Sequence, residues 1–193
     1  MAHATPIRRL SASEYLQMER AAETKSEFRD GDVYAMAGGT PAHSRISANL
    51  IRHLGNRLEG GKCFAFTSDL RVKIEMADAY TYPDVSVVCG SLQTESGHDD
   101  VLLNPTVIVE VLSPSSESDD RGRKFELYRR IPSLREYLLV SQSKPHVEQF
   151  IRQASGEWLL RDIEGRAAAL SLAALGIELP LAEVFAGVEF KAA

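Results

Sequence analysis

The sequence predicts a mixed α/β fold built on a central sheet. Two observations carry this expectation. Amphipathic stretches at helical spacing are interleaved with short β-branched runs along the chain. One of those runs, Thr106-Val107-Ile108-Val109-Glu110-Val111-Leu112, is apolar enough for a strand covered on both faces. No repeat, low-complexity tract or linker interrupts this pattern, so 1–193 is expected to form one domain, large enough to bury a core without staples. The formal net charge of -5 supplies no global basic field for nonspecific attachment to nucleic acid or an anionic membrane, and leaves only a local basic surface for such a partner. Cys63 and Cys89 have neither metal-ligand spacing nor the company of a dense disulfide framework. With no signal-peptide pattern and no apolar run of spanning length, a reducing cytoplasm and no membrane association are expected.

Taken in order, Ser11 and Ser13 are placed to cap a first helix running through Glu14 to about Ala22. Residues 26–36 read as a hairpin turning at Asp30-Gly31. Thr40 with Pro41 next opens a second helix, whose Ile46, Leu50, Leu54 and Leu58 recur at near-four spacing until Gly60-Gly61 ends it. A strand is expected from Cys63 to about Glu75, broken or bent near Ser68-Asp69, and a further one over 82–89. Residues 90–104 are polar and turn-rich and read as a mobile loop. After the central strand, Ser113-Pro114-Ser115-Ser116 breaks the chain. Asp119 or Asp120 is then expected to cap a helix reaching about Ile131, closed by Pro132. A strand at 136–140, a hairpin of 147–151 with 157–160 across Ala154-Ser155-Gly156, and a helical segment over 170–185, interrupted at Gly176 and Pro180, complete the chain.

Three residues fit these elements awkwardly. Glu110 lies inside the central strand, sharing a pleat face with Thr106, Ile108 and Leu112, where a carboxylate is costly to desolvate unless it meets a cation, a metal or several donors. Asp84, after Pro83, opens a valine-rich run; if that strand pairs beside the Glu110 strand, both carboxylates converge on one edge of the sheet. Two buried carboxylates need a counter-charge, and oxygen ligands suit Mg²⁺ or Mn²⁺. Lys124 falls in the middle of the apolar face set by Leu127, Tyr128 and Ile131, where a cation seldom sits unpaired. The blander readings are a strand-end glutamate bonded to a loop and a lysine snorkelling over the sheet rim. One site near Asp84 and Glu110 accounts for all three residues together.

Pro83-Asp84, Ile108-Val109-Glu110-Val111-Leu112-Ser113-Pro114-Ser115, Lys124-Phe125-Glu126-Leu127-Tyr128 and Glu136-Tyr137-Leu138-Leu139-Val140 closely resemble the Uma2 family. The resemblance runs over about 27–185. It implies a PD-(D/E)XK nuclease with the restriction-endonuclease-like fold, a mixed central sheet flanked by helices, with an N-terminal helix and hairpin added. The aspartate of that pattern falls on Asp84 and its second acid on Glu110. Leu112 stands where the lysine is expected, and Lys124 on the following helix looks like its migrated replacement. Glu27 resembles the family's N-terminal acid, a further metal ligand or outer-shell partner. Asp69 and His43 match a recurrent acid and a helix-start histidine, as outer-shell or phosphate contacts; a strand-bend role for the one and a local bond for the other are the plainer readings.

Other motifs carry less. Gly38-Gly39 lacks the lysine and preceding strand of a P-loop, and Ser113, Ser115 and Ser116 lack the nucleophile elbow of a serine hydrolase. Asp119 and Asp120 read as caps first and ligands second. Arg121, Arg123, Arg129 and Arg130 could touch backbone phosphate, but alternating with acids they read first as a solvated face. The expectation is a Mg²⁺- or Mn²⁺-dependent endonuclease acting on nucleic acid, DNA before RNA, for which a homodimer would suit the cutting of two strands. The alternatives are a binding module on the same fold with little catalysis, and a structural protein in which the acids and Lys124 form a buried ion-pair network.

Overall fold

A computed structural model describes residues 9–190 of the chain. Helix α1 (Ala12–Ala21) starts on a capping box: the Ser11 hydroxyl accepts from the Glu14 amide, and the Glu14 carboxylate accepts from the Ser11 amide. Strands β1 (Ser26–Arg29) and β2 (Asp32–Ala35) follow, joined through Asp30 and Gly31 at φ 47° and 91°, as a tight hairpin turn requires. Helix α2 (Pro41–Leu58) begins at Thr40, whose hydroxyl accepts from the His43 amide. Then come β3 (Cys63–Thr67), β4 (Arg71–Ile74), β5 (Ala79–Thr81), β6 (Val85–Cys89), β7 (Thr94–Glu95), β8 (His98–Leu102) and the central β9 (Val107–Leu112). The next helix has three parts: α3 (Glu117–Asp119), a π-helical turn (Asp120–Lys124) and α4 (Phe125–Tyr128). Strands β10 (Glu136–Ser141), β11 (His146–Arg152), β12 (Trp158–Glu164), β13 (Ala169–Leu172) and β14 (Ile177–Pro180) lead to the short α5 (Leu181–Val184).

The strands form two six-stranded sheets where the sequence suggested one, ordered β2-β1-β5-β4-β8-β7 and β12-β11-β10-β9-β6-β3, with β13 and β14 as a separate pair. In the second sheet β9 runs parallel to β10 and antiparallel to β6. The expected bend at Ser68-Asp69 is a full break, sending β3 to one sheet and β4 to the other. Alternation then builds the layers. Tyr15 and Leu16 of α1 pack on Phe28, Val33 and Tyr80, the outer face of the first sheet. Its inner face, through Val72, Ile74, Ala79 and Leu102, meets Ile108, Leu112, Tyr137 and Leu139 of the second sheet, with Tyr128 and Ile131 between them. The far face of the second sheet, through Val85, Val107, Val109 and Val111, is covered by Ile46, Leu50 and Leu54 of α2 and by Leu170, Leu179 and Phe185.

Four other expectations are corrected. Residues 90–104, read as a mobile loop, hold β7 and β8, with Val101 and Leu102 wholly buried beside β4. The segment 170–185, read as helical, is mostly a hairpin, because Leu170 and Leu172 alternate with exposed residues and Gly176 turns the chain at φ 67°. Asp119 and Asp120 cap nothing; the helix starts before them, and both side chains are taken up by cations. Cys63 and Cys89 face each other in the β3–β6 pair and are joined by a disulfide. Cross-strand register, invisible in their spacing, pairs them, so they no longer argue for a reducing compartment. Among the described residues, no helix is long and apolar enough to cross a membrane.

Candidate active site

Between the two sheets, Glu27, Glu110, Asp120 and Lys124 gather at one end of β9. Glu110 arrives there because its strand alternates: Val107, Val109 and Val111 face α2, while Ile108, Glu110 and Leu112 face the other sheet. Glu110 is 3% exposed. Its Oε1 accepts from the Tyr128 hydroxyl at 2.8 Å and from the Lys124 ammonium at 3.1 Å. Glu27, on β1 of the opposite sheet, offers Oε1 to the same ammonium at 3.1 Å, and Asp120 offers Oδ1 at 3.2 Å. Lys124 is thus held by three carboxylates. The π turn helps to place it: its wider ring keeps Asp120 and Lys124 together on the buried side, while Gly122 and Arg123 face solvent.

Glu27 is itself anchored. Its Oε2 accepts from Arg29 at 2.6 Å, and the Tyr82 amide donates to its Oε1 at 3.3 Å. Arg29 in turn grips Asp119 with both terminal nitrogens, at 2.8 and 2.6 Å, tying β1 to the start of the site helix.

Asp84 enters from the second sheet. Val85 pairs with Val109 in the β6–β9 ladder, and one further step along that antiparallel register sets Asp84 level with Glu110. Its Oδ2 accepts from the Val111 amide at 2.7 Å and lies 3.2 Å from His43 Nε2, which reaches over from the first turn of α2. Both side chains are partly exposed. Asp69 does not join the group: that carboxylate is exposed and pairs with Lys25 at 2.5 Å.

The electrostatics follow from burial and crowding. Desolvation pushes the Glu110 carboxyl well above its usual range; Lys124 opposes this, while the negative charges of Asp120, Asp84 and Glu27 add to it. Asp120 is raised as well, again by desolvation first, with Lys124 acting against it. Glu27 goes the other way, because Lys124 and Arg29 outweigh the cost of its burial. Burial works against the Lys124 charge, yet Glu110, Glu27, Tyr128 and Asp120 together raise its ammonium well above the ordinary value. His43 is raised by its bond to Asp84, against desolvation.

This donor set suits a hard divalent cation. Among the described residues, Glu27, Asp84, Glu110, Asp119 and Asp120 are paired with Lys124, Arg29 and His43, so the acids outnumber the cations they meet. The bonds to Glu110 and Asp84 use Oε1 of one and Oδ2 of the other, leaving a second oxygen on each for a cation. Glu27 has both oxygens engaged. Among the described residues, no three His, Cys, Asp or Glu side chains already converge in metal-binding geometry. A cation would therefore complete its coordination with water, as Mg²⁺ usually does.

Sequence reasoning brought forward Glu27, His43, Asp84, Glu110 and Lys124, which the fold brings together; it ranked Asp119 and Asp120 as caps before ligands, and missed Arg29 and Tyr128 as members of the network. Arg29 carried a signal: it sits two residues from Glu27 on the same strand face.

A family model described as "Uma2: Putative restriction endonuclease" matches residues 12–182. An uncharacterized protein of Synechocystis sp. is 38% identical over 185 residues, covering 96% of each chain. A second uncharacterized protein from that organism is 36% identical over 168 residues, 87% of this chain and 95% of its own. Among solved structures, a protein from Anabaena variabilis titled "putative nuclease belonging to DUF820" superposes with a TM-score of 0.75 at 18% identity, covering 91% of this chain and 97% of that one. At that identity the likeness is one of fold.

Proposed function

Since the chain belongs to the Uma2 family, we propose that it is a Mg²⁺- or Mn²⁺-dependent endonuclease that hydrolyses phosphodiester bonds in nucleic acid, DNA first. The observation that carries this reading is the approach of Lys124 Nζ to Glu110 Oε1, 3.1 Å, from a helix rather than from the strand position that Leu112 occupies. It supports a nuclease centre whose lysine has moved but whose ammonium still reaches the second acid. Asp84 and Glu110 would hold the cation, whose chemistry there is to acidify a bound water and offset phosphate charge. Lys124 presents a fixed positive charge beside Glu110, suited to a phosphoryl oxygen as it gains charge. Glu27 holds that ammonium in place, Tyr128 orients Glu110, and the Val111 amide and His43 orient Asp84. A homodimer would present two such centres, which would suit the cutting of both strands of a duplex.

One observation favours a second reading, a binding module without catalysis. Lys124 is only 7% exposed and already shared by three carboxylates, as in a buried ion-pair network. Calorimetric titration with Mn²⁺, paired with cleavage of supercoiled and linear DNA, separates the two. The nuclease reading expects the wild type to bind Mn²⁺ and to nick or linearise DNA, and expects both to be lost on Glu110→Gln. Absence of Mn²⁺ binding in the folded wild type leaves the binding module standing.

A further inference from the structure

The acids of the site lie in a chain of net charge -5, so a polyanionic substrate needs a local cation at the rim to draw it in. Most candidates are already neutralised. Arg121 is shared between Glu117 and Glu148, and Arg29 between Glu27 and Asp119. Arg123 is different. It is exposed on the π turn, next in sequence to Lys124, and among the described residues it has no carboxylate partner. Instead its guanidinium lies 5.8 Å from the centre of the Tyr34 ring and donates to the Tyr34 hydroxyl at 3.4 Å. Tyr34 is held in its turn by the buried guanidinium of Arg29, 5.1 Å from the ring centre, and Arg29 belongs to the site through Glu27. Beyond Tyr34, the exposed residues 37–40 lead to the start of α2, where His43 meets Asp84.

We propose that Arg123, fixed on Tyr34, is a phosphate contact that seats a DNA backbone across the opening of the site. The inference rests on the nuclease reading. An unpaired guanidinium with fork geometry suits a phosphodiester, and stacking on a ring lowers the entropy lost when it binds. The contact serves affinity and register, not the chemical step.

The test is binding of a fluorescently labelled mixed-sequence DNA duplex to the full chain, with calcium replacing magnesium, over a range of salt. Arg123→Gln is expected to fold normally, to weaken binding by roughly three- to tenfold, and to lower the slope of log affinity against log salt by about one. Arg123→Lys should keep that slope. Tyr34→Leu should keep it too but lose part of the affinity, because the arginine remains and is no longer held. If wild type binds the duplex and Arg123→Gln matches it in affinity and slope, this inference falls and the nuclease reading stands. If folded wild type binds no duplex at any salt, duplex DNA falls as the substrate of the site and this inference falls with it.

Discussion

Lys124 is the residue on which the site turns, and removing its charge has two opposing consequences. Lys124→Met keeps the aliphatic stem against Tyr128 but strands Glu27, Glu110 and Asp120 without their common cation. Breaking a buried pair from one side costs about 3–5 kcal/mol in general, and here the raised Glu110 and Asp120 carboxyls soften the loss by taking up protons more readily. The metal-free variant is therefore expected to melt lower, with Mn²⁺ affinity retained or increased because a repelling charge is gone. DNA cleavage should fall roughly a hundredfold or more, as when other preorganised electrostatic groups are removed. Cleavage unchanged at equal folding would take Lys124 out of the mechanism. Asp84→Asn makes the contrast. Its amide oxygen still accepts from the Val111 amide, so metal-free stability should shift by less than about 0.5 kcal/mol while Mn²⁺ binding weakens. A large loss of metal-free stability would instead mark Asp84 as part of a structural network. These residues were legible because each broke a local rule: acids in buried strands and a lysine on an apolar helix face. Asp120 and Asp119 were not, since an aspartate near a helix start reads as a cap, and only the packed structure shows the cations that claim them.

At the scale of elements, α2 delivers His43 to Asp84, and Thr40 fixes where that helix begins. Its hydroxyl accepts from the His43 amide at 3.1 Å and also bonds Gln142, at the end of the parallel β10 strand. Thr40→Ala should lower stability by about 1 kcal/mol, the usual cost of losing such a cap. Thr40→Ser, which keeps the acceptor, should recover most of it in urea denaturation. Equal stability of the Ala and Ser variants would show that the cap bond contributes nothing. This helix was readable from Thr40-Pro41, its near-four leucine spacing and Gly60-Gly61. The C-terminal hairpin was not, because β13 and β14 have only four residues each, too few for a period to declare itself. What holds the hairpin is distant: Glu136 Oε1 accepts from the Ala174 amide at 2.7 Å, a contact no local pattern announces.

The whole molecule is two facing sheets, and the stretch that hid this from the sequence is the polar segment holding β8. His98, Asp99 and Asp100 read as loop, yet β8 pairs in parallel with β4, and Asp100 ties the first sheet to α1. Its carboxylate accepts from Arg20 at 2.8 Å and also pairs with Arg71 on β4. The bond from Arg20 is the leading cause that brings its pKa down to about 2; burial works against it and Arg71 with it. A carboxyl depressed on folding contributes stability that is present above its unfolded value, near 3.8, and lost as pH falls through about 2. The Asp100 side chain is 38% exposed, so solvent screening limits the contribution to under about 1 kcal/mol. Asp100→Asn should therefore lower the melting temperature slightly by a constant amount above about pH 4. The difference should shrink below about pH 4 and close as the pH falls through about 2, below which wild type and variant are both neutral at this position. Raising the salt at neutral pH should narrow the same gap, because the pair faces solvent. A difference that stays the same down to the acid limit would mean that Asp100 acts by shape and neutral hydrogen bonds, not by charge. The docking of α1 on the first sheet would then rest on Tyr15 and Leu16 packing against Phe28 and Tyr80, and on the buried bonds that join Tyr15 and Glu19 to Ser26.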